Sequence, residues 1–193
     1  MTTVIMLSGW AGSGKDAAAS ILMDELGFQR FAFADPLKHD VARETGIPLN
    51  HFYEPSLKDK PYNMSHTPRD HLIRHAAEAR AKYPNIYANM IADTIQRSDS
   101  KRVVISDWRY RNEYDVIKTF FGQVIRVHIN RPGVIQSSDP SEHDLDDQPM
   151  DIHINNGGSL SMFRSTLKDL LRPYLSSREC YLLPLPLTGE GIA

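Results

Sequence analysis

The sequence is short of cysteine, with Cys180 the only one in 193 residues. A lone cysteine excludes a disulfide within the chain and is compatible with a reducing compartment. An excess of positive charge is also lacking: 22 lysines and arginines stand against 24 aspartates and glutamates, and the formal net charge is −2. Without an overall basic field we expect no binding to polymeric nucleic acid, so basic residues must act locally.

Long apolar runs are lacking too. None approaches the roughly 20 residues of a membrane-spanning helix, and no basic residue precedes the first apolar run, at residues 4–7. We therefore expect neither a membrane anchor nor a secretory signal, and a protein of the cytoplasm, or of the host cytoplasm if its source is viral. Hydrophobic residues make up 41% of the chain, which is enough to bury one substantial core.

Glycine is sparse, with 11 in the chain, yet three glycines occupy positions 9, 12 and 14, and Lys15 follows them. The absence of Cβ atoms lets successive backbone N–H groups turn inward around an anion at the positive end of the next helix. The spacing Gly-x-x-x-x-Gly-Lys predicts a P-loop, whose lysine reaches the β- and γ-phosphates of a nucleoside triphosphate. Asp16 stands where most P-loops have a magnesium-binding hydroxyl, and Ala17 offers no hydroxyl either.

Strand and helix patterns alternate along most of the chain. Apolar runs typical of strands occupy residues 4–7, 28–33, 101–107, 123–129 and 151–156, and helical periodicity occupies residues 15–26, 67–81, 86–97 and 160–171. The alternation predicts a three-layer α/β P-loop fold, with a mostly parallel central sheet flanked by helices. We expect a single domain over residues 1–193, with a helical insertion at about residues 35–97, irregular over residues 46–67, and a lid at about residues 131–150. Residues 134–150 have little apolar pattern, so a plain disordered surface loop is the alternative to the lid.

Several charged residues are predicted to meet at the carboxyl ends of the strands, where open α/β sheets bind ligands. Asp35 is expected to cap a helix that carries Lys38, and Asp107 ends a buried strand as a Walker B aspartate does. Arg69 lies in the first turn of a helix, where the helix dipole disfavours a cation unless an anion binds it. Solvated side chains are the simpler alternative for Lys38 and Arg69.

Two further patterns have both a functional and a structural interpretation. His71 and His75 are four residues apart on a predicted helix, as metal-binding histidines can be, but no HExxH motif or cysteine partner accompanies them, so we favour solvated side chains. Tyr87 belongs to a helical apolar stripe that we expect in the core, although an aromatic side chain at a helix start could instead stack on a base.

Short segments, taken in order, resemble phage-type deoxynucleoside monophosphate kinases. They are Gly9-x-x-x-Ser13-Gly14-Lys15-Asp16, residues 34–38 (ADPLK), Pro68-Arg69, Asp107-Trp108-Arg109 with Glu113, residues 131–133 (RPG) and residues 154–160 (INNGGSL). The aspartate after the P-loop lysine is a trait of that family, shared with the related animal-type phosphomevalonate kinases. The chain departs from the family at Ala17, usually a threonine, and at residues 139–142 (DPSE), where the lid usually has His-x-Ser/Thr-Glu.

The resemblance implies an ATP-dependent enzyme that converts a deoxynucleoside monophosphate to its diphosphate. It implies that ATP binds at Gly12, Ser13, Gly14, Lys15, Asp16 and Ala17, and that the acceptor nucleotide binds at Lys38, Arg69, Tyr87, Asp107, Arg109 and Glu113. Catalysis would involve Lys15, Asp16, Asp107 and Arg131, with Mg²⁺ held by Asp16 and Asp107 directly or through water. The partners would be small-molecule nucleotides, and a homodimer stays open.

Two other functions are compatible with the same residues. One is a P-loop kinase for another phosphorylated small molecule, such as phosphomevalonate or dephospho-coenzyme A. The other is a regulatory module that hydrolyses ATP slowly and signals through its loops. The predicted arginine cluster favours a kinase, because phosphoryl transfer between two anions requires both to be held in line.

Overall fold

The computed structural model describes residues 1–62, 66–135 and 143–175. Its central sheet has five strands, numbered β1 to β5 in chain order: Thr3–Ser8, Gln29–Phe31, Arg102–Ile105, Gln123–Asn130 and Ile152–Asn155. All four strand pairings are parallel, and the spatial order is β2-β3-β1-β4-β5. The predicted parallel sheet is confirmed, with β1 at its middle.

Eight α-helices flank the strands in the described ranges. They are α1 to α8 in chain order: Lys15–Leu26, Ala34–Thr45, Asn50–Tyr53, Pro55–Lys58, Pro68–Lys82, Ile86–Arg97, Arg111–Phe120 and Leu160–Leu171. A 3₁₀ turn, Arg172–Tyr174, follows α8. The predicted bounds of α1, α6 and α8 are confirmed. None of these helices is long and apolar enough to cross a membrane.

The side chains of β1 alternate between two cores, because successive residues of a strand point to opposite faces of a sheet. Val4 and Met6 pack in a cluster with residues of α2, α5, α6 and α7, whereas Ile5 and Leu7 pack in a cluster with residues of α1 and α8. All four side chains are fully buried. Helices therefore cover both faces of the sheet, as the sequence predicts.

The carboxyl ends of the three middle strands meet at one edge of the sheet. Ser8 ends β1 opposite His128 of β4, and the backbone N–H of Trp108, just beyond β3, donates to the carbonyl of Leu7 over 3.2 Å. Asp107 precedes Trp108, so it lies beside the strand that leads into the glycine loop. Ligands of open parallel sheets bind at such an edge.

Three local features differ from the sequence expectations. The sequence patterns do not indicate α7, because one of its three buried residues is the charged Glu113. Residues 46–67, expected to be irregular, contain the single-turn helices α3 and α4. Asp35 does not cap α2, since no side chain at its N-cap position makes a capping hydrogen bond. Residues 136–142 of the predicted lid lie outside the described residues. The stretch from Cys180 onward, whose prolines and glycines predict a surface tail, lies outside them too.

Candidate active site

The glycine loop is held in shape by close backbone packing. Gly9 has φ +132° and Gly14 has φ +110°, a region that favours glycine. A Cβ atom on Gly9 would lie 2.1 Å from the carbonyl oxygen of Ile129, and one on Gly14 would lie 2.4 Å from Nδ2 of Asn156. Asn156 Nδ2 also donates to the carbonyl of Ser13 over 2.8 Å. The loop is therefore braced from the ends of β4 and β5, a contact of Asn156 that the sequence pattern does not reveal.

Lys15 folds back over this loop. Its Nζ donates to the carbonyl oxygens of Gly9 at 2.5 Å and Trp10 at 2.9 Å. Nearby, the hydroxyl of Ser13 is fully buried and has no hydrogen-bond partner in the described part of the chain. A buried hydroxyl without a partner is costly, so the loop favours a ligand that brings hydrogen-bonding oxygens.

Asp16 points its carboxylate to the exterior from the first turn of α1. The residue is exposed, and the helix start has no side-chain capping hydrogen bond. A purely capping role for Asp16 is therefore not what the structure shows. An acidic side chain in the first turn of a helix is favoured by the helix dipole and remains available to a cation.

Asp107 connects the end of β3 to the start of α2. Its Oδ1 accepts from the backbone N–H of Phe33 at 2.8 Å, and its Oδ2 accepts from that of Ala34 at 3.0 Å. Asp107 thus provides the cap that the sequence assigns to Asp35. Burial raises the pKa of Asp107, although the two backbone N–H groups oppose that rise. Each carboxylate oxygen keeps a second lone pair for a water or ion.

Asp35 instead forms an ion pair with Lys38 of α2. It accepts from Lys38 Nζ at 3.0 Å and from the hydroxyl of Tyr53 at 3.0 Å. The Lys38 ammonium also lies 3.9 Å from the centre of the Tyr53 ring, and Lys38 is buried. Burial and Asp35 raise the pKa of Tyr53 to about 12. Lys38 is therefore buried and held in place, and the alternative of a solvated side chain does not apply to it.

Arg69 is paired with a carboxylate of the insertion. Its Nε and Nη2 donate to the two oxygens of Asp59, the second over 3.1 Å. The forked arrangement is one that phosphate can replace. The two side chains are 52% and 59% exposed, so solvent screens the pair and its contribution to stability is small. Asp59 can therefore be displaced by a stronger anion.

Glu113 supports the loop that carries Arg109. Its Oε2 accepts from the backbone N–H groups of Arg109 and Tyr110, each over 3.0 Å, and its Oε1 lies 3.6 Å from Nη2 of Arg80. Glu113 is 4% exposed. Burial raises its pKa to about 8, and this outweighs the opposing effects of the N–H groups and Arg80. In the structure, Glu113 therefore positions the loop that carries Arg109.

Tyr87 lies in the core and is 3% exposed. It packs in the cluster of α6, and the guanidinium of Arg80 lies 5.2 Å from the centre of its ring. Its hydroxyl has no hydrogen-bond partner among the described residues. The structure therefore shows the core-packing alternative for Tyr87, and the ring face is not open for stacking on a base.

Residues 143–150 are packed against the site. Leu145 is buried, the ring centre of His143 lies 4.8 Å from that of Trp10, and Arg111 binds the carboxylates of Asp144 and Asp147. This part of the predicted lid, expected to have little apolar pattern, thus contacts both the glycine loop and α7.

Arg131, at the start of the predicted lid, is exposed in the turn after β4, and no described carboxylate pairs with it.

A small cavity of about 30 Å³ lies between the two halves of the site. Its lining comes from the end of β1, the segment after β3, β4 and the segment after residue 143: Ser8, Gly9, Trp10, Trp108, Arg109, His128, Leu145 and Asp146.

Within residues 1–62, 66–135 and 143–175, no three His, Cys, Asp or Glu side chains cluster to hold a metal ion. His71 contacts Arg74 and His75 contacts Glu44.

Comparisons with known proteins agree with this arrangement. The family described as phosphomevalonate kinase matches residues 7–123. A protein of Acanthamoeba polyphaga mimivirus, named "Putative deoxynucleotide monophosphate kinase", is 32% identical over 182 residues, covering 85% of this chain and 93% of its own. TT1252 of Thermus thermophilus is 16% identical with a TM-score of 0.52, covering 91% of this chain and 99% of its own. A sugar kinase of Janibacter sp. HTCC2649 is 15% identical with a TM-score of 0.51, covering 89% and 95%. At these identities the two solved structures show the fold alone.

Proposed function

The chain belongs to the family of P-loop kinases described as phosphomevalonate kinase, and from this membership and the arrangement of its site we propose that it phosphorylates deoxynucleoside monophosphates. In the reaction, an oxygen of the acceptor's phosphate bonds to the γ-phosphorus of ATP as the bond to the β,γ-bridging oxygen breaks. The products are ADP and a deoxynucleoside diphosphate. The acceptor phosphate is already ionised near pH 7, so no general base is required.

The observation that supports this proposal is a group of basic side chains near the glycine loop, which would form a second anion site. The glycine loop with Lys15 provides the first. For the second, Arg109 lines a cavity together with Gly9 and Trp10 of the glycine loop, and the charges of Arg69, Lys38 and Arg109 all act on Lys58. Transfer between two phosphates requires mainly alignment and charge neutralisation, and two adjacent basic sites supply both.

The remaining residues complete the donor side of the site. Ser13 would offer its unpartnered hydroxyl to a phosphate oxygen, and Arg131, exposed in the turn after β4, would approach the transferring group. Asp16 and Asp107 are the carboxylates that would hold Mg²⁺, which commonly binds through one or two carboxylates, waters and substrate phosphates. The ion supplies charge neutralisation at the phosphates. Glu113 acts by holding Arg109, while Tyr87 supports α6 from the core.

A second candidate acceptor is phosphomevalonate, because that compound gives the matched family its description. The test is to incubate the purified protein with ATP and magnesium plus one acceptor from a panel of deoxynucleoside monophosphates, nucleoside monophosphates, phosphomevalonate and dephospho-coenzyme A. We expect a deoxynucleoside diphosphate to form. Phosphorylation of phosphomevalonate alone would contradict the proposal, and ATP hydrolysis without use of any acceptor would favour the regulatory module.

Asp16→Asn is expected to raise several-fold the magnesium concentration that gives the half-maximal rate. Affinity for ATP without magnesium should stay the same or improve, because a negative charge beside the triphosphate is removed. The structure shows no capping hydrogen bond for the substitution to break. Rates measured across a magnesium titration of the two proteins check this, and superimposable curves would exclude a role for Asp16 toward the ion.

Asp59→Asn is expected to lower the KM for the acceptor by up to about fivefold, since an exposed ion pair that solvent screens is weak. The substitution removes the carboxylate that competes with phosphate for the fork of Arg69. The KM for ATP should not change. Asp93→Asn is a matched control, because Asp93 forms a similarly exposed pair with Arg97 on α6. A rise in acceptor KM in Asp59→Asn alone would show that Asp59 assists binding instead.

A further inference from the structure

Lys58 is a cation placed among other cations. It is the last residue of α4, and its neighbour Asp59 holds the fork of Arg69 on α5. The residue two positions before α4, Tyr53 at the end of α3, lies against the ammonium of Lys38 on α2. The two single-turn helices therefore bring Lys58 close to Arg69 and Lys38, and the charges of both, with that of Arg109 after β3, act on its ammonium.

The surroundings of Lys58 are unfavourable for a lone ammonium. The side chain is half-buried. Burial lowers the pKa of Lys58, and the charges of Arg69, Lys38 and Arg109 lower it further, against a weaker opposing effect of Asp59. Lys38 and Arg69 each have a carboxylate partner, Asp35 and Asp59. Lys58 forms no ion pair with any residue in the described ranges.

We propose that Lys58 binds the phosphate of the acceptor, as a fourth cation beside Lys38, Arg69 and Arg109. The ligand is a phosphate monoester dianion, whose two negative charges would offset the repulsion that Lys58 meets from the three other cations and accept a hydrogen bond from its ammonium. The role of Lys58 rests on the proposed function, because the acceptor is the phosphate ester that this function requires. Neither the P-loop motif nor the segments of resemblance include Lys58.

A binding role differs from a structural one in its effect on stability. Removing a cation from a cluster of cations relieves repulsion, so Lys58→Gln should melt at the same temperature as the wild type or higher when no ligand is bound. A lysine needed for packing or for an internal ion pair would instead lower the melting temperature when replaced.

The kinetic test compares Lys58→Gln with Lys60→Gln in the full chain. Lys60 lies two residues away in the same insertion and is exposed, so the control makes the same change of charge. We expect Lys58→Gln to raise the acceptor KM about tenfold or more, the loss of one hydrogen bond to a charged group, with the KM for ATP within twofold of the wild type. Lys58→Arg should recover most of the loss. An acceptor KM equal to that of Lys60→Gln would overturn the proposal.

A binding measurement separates this inference from the proposed function. With the glycine loop occupied by a non-hydrolysable ATP analogue, inorganic phosphate should raise the melting temperature of the wild type and Lys60→Gln more than that of Lys58→Gln. If this difference is seen but no nucleotide acceptor is phosphorylated, the anion site stands and the proposed function fails. If nucleotides are phosphorylated and the three proteins respond equally to phosphate, the inference about Lys58 fails alone.

Discussion

Replacing Lys15 by alanine is expected to lower phosphoryl transfer by at least about a hundredfold, which is the scale of losing one group that stabilises transition-state charge. The ammonium of Lys15 lies over the carbonyls of Gly9 and Trp10, within the loop where the phosphates of ATP are proposed to bind. Phosphate oxygens are stronger partners for an ammonium than carbonyls are. Initial rates with saturating ATP and acceptor measure the effect.

The melting temperature of Lys15→Ala should stay close to that of the wild type. Lys15 makes hydrogen bonds to loop carbonyls and takes no part in either hydrophobic cluster, so its removal leaves no cavity in the core. Lys101→Ala, an exposed lysine before β3, serves as the matched control for both measurements. Retention of even a tenth of the wild-type rate in Lys15→Ala would be incompatible with a P-loop role for this lysine.

Glu113→Gln is expected to change how the free energy of unfolding depends on pH. Burial raises the pKa of Glu113 from 4.5 to about 8, so between these values the folded chain keeps a proton that the unfolded chain releases. The wild type should therefore lose stability as pH rises through this window, by up to about 1.4 kcal/mol per pH unit from this group, and the loss should level off above it. Glutamine retains an oxygen for the N–H groups of Arg109 and Tyr110 but does not titrate.

Urea unfolding at pH 5, 6.5 and 8 measures this difference. The two proteins should differ most at pH 8, where Glu113→Gln is expected to be the more stable one, and the gap should narrow toward pH 5. Glu78→Gln is the control, since Glu78 is exposed on α5. Parallel stability curves for wild type and Glu113→Gln would mean that Glu113 has an ordinary carboxyl pKa in the folded chain.

Local patterns predict much of this fold because their signals are contained in a few residues. Helix α8 follows Ser159, whose hydroxyl accepts from the backbone N–H of Met162, and its apolar residues recur at helical spacing. The glycine loop is likewise defined by its own spacing. Helix α7 is not predicted because a charged residue, Glu113, occupies one of its buried positions. That carboxylate accepts from the backbone N–H groups of Arg109 and Tyr110 at the helix start and also lies near Arg80 of α5.

The sequence predicts which residues form the candidate site, but it does not predict the contacts that those residues make. The sequence places Lys38, Arg69 and Asp107 near one sheet edge, yet Asp35, Asp59 and Asn156 gain their roles from partners distant along the chain or in the unpredicted helices α3 and α4. For Tyr87, the sequence allows two environments and does not decide between them. An aromatic residue at a helix start fits a base-stacking site or a core equally well, and only the packing of α6 decides for the core.

The central position of β1 sets the order in which this chain can fold during its synthesis. The strand is made first, but its two neighbours come from β3 and β4, and Thr3 is separated by 120 residues from Gln123, whose side chain it contacts. At roughly 5 to 20 residues per second, the ribosome needs on the order of 6 to 24 s to supply that partner. Until then the apolar residues of β1 have an open edge, and the glycine loop has neither Ile129 nor Asn156 to brace it. We therefore expect nascent chains of this protein to bind nucleotide only after β5 has emerged.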